Sequence, residues 1–130
     1  MAWEEIVRSS GANGHSQEWV RTPCVTLRKT GMVLNGAFQR LFGVTAGTAA
    51  IVRWDDERRV VGLEIGPVNS CPSGFRIHIC GGKNNQVSAS ITCTSFLRRL
   101  TPYLNCSYRA VKRDETNIIE IALLPANEVK

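Results

Sequence analysis

Apolar and polar residues alternate along much of this chain. "FRIHIC" (75–80) places Phe75, Ile77 and Ile79 on one face and Arg76 and His78 on the other. "QVSASIT" (86–92) does the same with Val87, Ala89 and Ile91. Such two-residue periodicity predicts strands with one buried face. Further strands are expected at "TAGTAAIVRW" (45–54), "VVGLEI" (60–65), "SYRAVKR" (107–113) and "IIEIALL" (118–124). "LRKTGMVL" (27–34) reads as a hairpin turning near Thr30 and Gly31, and Pro23 suits an edge or a bend. Two stretches break the alternation. In "NGAFQRLFG" (35–43), Ala37, Phe38, Leu41 and Phe42 make one apolar helical face. Asn35 is placed to cap that helix and Gly43 to end it. "TSFLRRLTPYL" (94–104) is a second short helix bearing Phe96, Leu97 and Leu100.

The order of elements repeats. A shift of 58 residues carries Phe38 to Phe96, Arg40 to Arg98, Asp56 to Asp114 and Glu57 to Glu115. It also carries Val33 to Ile91, Val60 to Ile118, Val61 to Ile119, Leu63 to Ile121 and Ile65 to Leu123, with no gap between Val33 and Ile65. An internal duplication is therefore expected, each copy reading β-β-α-β-β. The expected fold class is α+β, with antiparallel sheets and two short helices. Residues 1–18 are expected to form a flexible arm and 19–130 a single domain. Its repeats would span 19–65 and 75–124, joined by the Pro- and Gly-containing linker 66–74.

"RWDDERR" (53–59) concentrates charge beside a strand, but it occupies the place that "DETN" (114–117) has in the second copy. Asp readily bonds the backbone two residues on, so both stretches read as hairpin turns. A catalytic carboxylate pair needs a shielded cleft instead.

The chain's 130 residues, 43% hydrophobic and 21% charged, suit one folded domain. No apolar run approaches the ~18–20 residues of a membrane span, and no signal-peptide core is evident, so a cytoplasmic protein is expected. Five cysteines without a C-x-x-C pair, and two distant histidines, give no metal-site spacing. No Walker loop, dinucleotide fingerprint or nucleophile elbow occurs. The expectation is a binding protein without cofactor or metal, not an enzyme.

Net charge of +5 points to an anionic partner. Basic residues interleave with aromatics on the expected strands. Trp54 and Tyr108 are candidate stacking residues, and Arg53, Arg109 and Lys112 candidate phosphate contacts, backed by Arg76 and Lys83. Arg21, Arg28 and Lys29 add to the basic strand surface.

The segment from Ala49 through Ile91, followed by the helix at Ser95–Tyr103, reads ββββα. This order resembles the PC4-like fold, and the duplicated layout is similar to the Whirly proteins. The resemblance implies a homo-oligomer that binds single-stranded DNA across its sheets. The stretch "VTLRKTGMVLNGAFQRLFGVTAGTAAIVRWDDERRVVGLEI" also looks like an AbrB-type swapped-hairpin module, although "LNGAF" lacks the proline usual at its short helix. That second resemblance implies a double-stranded DNA regulator. A non-enzymatic assembly or adaptor protein is the third expectation, its strand edges serving oligomerisation.

Overall fold

The computed structural model describes residues 21–81 and 87–129. The expected arm at 1–18 and Lys83 lie outside them. The elements, in chain order, are β1 (Cys24–Leu27), β2 (Gly31–Leu34), α1 (Gly36–Phe42), β3 (Thr48–Asp55), β4 (Val60–Pro67), β5 (Phe75–Gly81), β6 (Val87–Thr92), α2 (Thr94–Leu97), β7 (Ser107–Lys112), β8 (Ile119–Ala122) and β9 (Glu128–Val129).

The α+β expectation is corrected here. The strands run β1-β2-β6-β5-β3-β4-β8-β7, and β7 pairs back onto β1, so eight antiparallel strands close into a barrel. The described residues are essentially all-β, with two short helices, α1 and α2, beside the barrel. Closure changes where the core lies. Alternating apolar residues bury against one another inside the barrel rather than under helices. Val25, Leu27, Met32, Leu34, Val61 and Leu63 share this interior with Ile77, Ile91, Ile119 and Ile121.

The closing seam is made by residues far apart in sequence. Val25 faces Tyr108 and Thr26 faces Ser107. The Thr26 and Ser107 hydroxyls bond each other at 2.6 Å. The Leu27 N–H donates to the Cys106 carbonyl at 3.0 Å, and the Ala110 N–H to the Pro23 carbonyl at 2.9 Å. Each barrel strand has a neighbour on both sides, although β3 and β5 meet only through Ala49 with Arg76 and Ala50 with Phe75.

The neighbour relations are unchanged when β1–β4 are exchanged for β5–β8. The β1–β7 contact then becomes β5–β3, while β2–β6 and β4–β8 become themselves. In β4 and β8 the 58-residue shift holds, because Val61 faces Ile121 while Leu63 faces Ile119, and all four are buried. In β2 and β6 it slips by one. Met32, not Val33, stands inside the barrel opposite Ile91, and Val33 faces Ser90 on the outside. A one-residue slip moves a side chain to the other face of a strand.

Helix α1 follows its local chemistry. The Asn35 side chain accepts from the Phe38 N–H at 2.9 Å, and Gly43 ends the helix at φ 67°. Asn35 is also buried, accepts from the Cys24 N–H at 3.0 Å and donates to the Thr22 carbonyl at 2.8 Å. One side chain thus ties the helix to β1. Helix α2 has Cys93 at the equivalent position, with no side-chain cap, and passes after one turn into a 3₁₀ segment containing Pro102. Among the described residues no helix is long and apolar enough to cross a membrane.

Candidate nucleic-acid interface

Carboxylates are confined to part of the chain. Among the described residues they occur only at 55–57, 64, 114–115, 120 and 128. All eight lie on β3, β4, β8 and β9 or on the turns joining β3 to β4 and β7 to β8. The barrel therefore has two unlike walls.

The β3–β4–β8–β7 wall is a web of ion pairs. Arg53 meets Glu64 at 3.0 Å and Arg59 meets Asp56 at 2.8 Å. Arg58 meets Asp55 at 2.7 Å and Glu120 at 3.6 Å, and Arg113 reaches the same Glu120 at 3.5 Å. Asp55 also accepts the Glu57 and Arg58 N–H groups, both at 3.1 Å. The bond from the Arg58 side chain, with that from its N–H, holds the Asp55 carboxyl below its ordinary range. The "RWDDERR" cluster is thus an Asp-nucleated turn whose cations are neutralised in place.

The other wall comprises β1, β2, β6 and β5 with the two helices. Among the described residues Arg21, Arg28, Lys29, Arg40, Arg76, Arg98 and Arg99 belong to it, and no carboxylate does. None of the seven forms an ion pair with a described residue. The outward side chains of β6 are small and polar. Ser90 lies between Val33 and His78, Ser88 faces Cys80, and Thr92 faces Gly31. Backbone approach is close here, since a Cβ on Gly31 would sit 2.8 Å from the Ile91 carbonyl oxygen. Adjoining this wall, the β1–β2 turn bearing Arg28 and Lys29 abuts the start of α2. The Thr30 carbonyl accepts the Cys93 N–H at 3.1 Å and the Thr94 hydroxyl at 3.4 Å. Arg98 and Arg99 follow one turn later. The Arg99 guanidinium lies 5.8 Å over the Phe96 ring, which meets Trp54 edge-on at 5.9 Å.

The candidate residues named from the sequence are dispersed by this arrangement. Tyr108 is 4% exposed and points into the barrel, where burial raises its hydroxyl pKa. It has no ring face to offer a base. Trp54 is half-buried against Phe96, and its indole N–H donates to Asp56 at 3.3 Å. Arg53 is engaged by Glu64, and Arg109 donates to the Ala126 carbonyl at 3.2 Å. Lys112 is exposed at the far end of β7. Of the described candidates only Arg76 stands on the carboxylate-free wall. Phe75, beside it, is 38% exposed. Arg98 and Arg99 were not among the sequence candidates, and Arg28 and Lys29 only as general basic surface. The pointer to them is linear: 21–54 and 65–113 contain no Asp or Glu.

All five cysteines are free, and among the described residues no three His, Cys, Asp or Glu side chains converge to hold a metal ion. No protein-family model matches the chain, and neither a curated protein nor a solved structure matches it.

Proposed function

We propose that this is a cytoplasmic, non-enzymatic binder of single-stranded nucleic acid, DNA foremost, and that its contact surface is the carboxylate-free wall. The observation that carries this reading is the segregation of charge. Seven cations that meet no carboxylate among the described residues hold a positive potential that phosphates can enter. Arg28 and Lys29, with Arg98 and Arg99, form its densest part, and Arg76 extends it along β5. The small outward side chains of Ser88, Ser90 and Thr92 let a flexible backbone lie close to the sheet. Helices of seven and four residues, lying beside the barrel, provide no long recognition helix for a major groove. The reading shares its ligand with the PC4- and Whirly-like resemblance but moves the contact to a different set of residues.

The test is an anisotropy titration with a labelled single strand and its duplex, at about 50 and 200 mM salt. Tight single-strand binding that weakens with salt is expected. The Arg28→Ala/Lys29→Ala/Arg98→Ala/Arg99→Ala variant should bind about 100-fold more weakly at low salt, with a salt slope lower by about 3. Unchanged affinity in that variant, or no binding at low salt, would remove this reading. A preference for duplex would replace it with the double-stranded regulator. Light scattering on the same samples tests the expected homo-oligomer.

A further inference from the structure

The barrel's two mouths are built from equivalent positions but finished differently. Trp54 of β3 faces Val61 of β4, and Lys112 of β7 faces Ile119 of β8. The 58-residue shift relates both pairs. At the first mouth the Trp54 indole is covered by Phe96 at 5.9 Å, with Arg99 above that ring. Aromatic packing closes this end. At the second mouth Lys112 stands at the position equivalent to Trp54. Phe38, matched to Phe96, is fully buried in the core with its ring edge-on to Phe42 at 4.7 Å. The rest of α1 overhangs the opening with Leu41, which is 65% exposed.

A cavity of about 280 Å³ results. Leu41, Phe42, Ile65 and Ile119 line its apolar side, and Lys112 and Asn117 its polar side. Glu64 borders it too, but its carboxylate is engaged by Arg53 at 3.0 Å. Lys112 has no ion pair with a described residue. This concavity joins an apolar side to a few convergent polar groups, a combination suited to an amphipathic ligand, and barrel mouths are among the usual places of small-molecule sites.

We propose that this mouth binds a small amphipathic carboxylate. The apolar body would lie against Phe42, Ile65 and Ile119, and the carboxylate would meet the Lys112 ammonium and the Asn117 amide. The ammonium provides the charge complement, and lysine in the place of tryptophan leaves the space seen among the described residues. This inference does not depend on nucleic-acid binding, which is placed elsewhere on the molecule.

Calorimetry with octanoate and with octylammonium, which has the same chain and the opposite charge, tests it. Saturable 1:1 binding of octanoate and none of octylammonium is expected. Lys112 is exposed, so Lys112→Met should fold while weakening octanoate at least tenfold. Methyl and ring NMR shifts on adding octanoate should centre on Phe42, Ile65 and Ile119. Absence of saturable octanoate binding would overturn the proposal. So would equal binding of the two probes, unchanged affinity in Lys112→Met, or shifts centred away from this mouth.

Discussion

The two walls of the barrel carry nearly the same number of cations and differ in what stands beside them. Among the described residues six cations share the β3–β4–β8–β7 side with eight carboxylates, while seven on the opposite side have none. On the first wall each guanidinium that meets a carboxylate loses its reach toward an outside anion. Exposed pairs of this kind add ~0–1 kcal/mol each to stability. Their main effect is to leave that wall close to neutral. On the second wall the cations repel one another mildly and keep an attractive field for anions, screened over ~8–10 Å in physiological salt. An arginine's availability is decided by its neighbours in space, and this separates Arg53 from Arg98.

The largest way to break the contrast is to unfasten the carboxylate-free wall. Asn35→Ala removes the α1 cap and leaves the buried Cys24 N–H without its acceptor. The expected loss is about 3 kcal/mol in chemical denaturation, cap and orphaned donor together. Asn35→Asp keeps the acceptor oxygen and should lose distinctly less.

Next in size is the transfer of charge between walls. Ser90→Glu with Thr92→Glu places two carboxylates on the cationic wall and should weaken oligonucleotide binding about tenfold at low salt. Glu64→Gln with Glu120→Gln releases Arg53 and Arg113, while Arg58 keeps Asp55. That variant should bind a few-fold more tightly, in the same anisotropy assay. Equal effects of matched changes on both walls would show that net charge alone matters.

The smallest effect is on the pH dependence of stability, and it separates the walls by sign. Cys93, at the β6–α2 junction, has its thiol pushed by burial from 9.0 to about 11. The folded protein then holds a proton that the unfolded chain releases first. Stability should be flat up to about pH 9 and fall toward pH 11. Denaturation at pH 8 and pH 10.5 should show the decline, and Cys93→Ala should reduce it. Asp55, on the other wall, has its carboxyl lowered by Arg58. Its contribution is present above the unfolded carboxyl value and is lost as pH falls through the lower folded one. Asp55→Asn should remove that acid-side loss.

Local chemistry was legible along the chain. Asn35 and Gly43 bound α1 because capping is settled within a few residues. The 56–59 turn follows from Asp55 bonding the N–H groups just after it. The inward rows of Ile77 and Ile91, and of Leu63 and Ile121, follow from alternation alone. The site was less legible. Tyr108 and Trp54 have the composition of stacking residues, yet their positions in the strands turn them into or against the core. The linear cue that survives folding is the distribution of Asp and Glu, since whole strands without carboxylates came to lie side by side.

The sequence by itself determined the strands, the short helices, the turns and the two acid-free runs, because periodicity, caps and composition act over a few residues. Only the tertiary structure decided that β7 returns to β1, that the helices flank a closed barrel, and which guanidinium meets which carboxylate. These depend on pairings such as Val25 with Tyr108, more than eighty residues apart. No local pattern specifies such a pairing. It forms because closing the barrel buries both apolar faces and gives each barrel strand a neighbour on both sides.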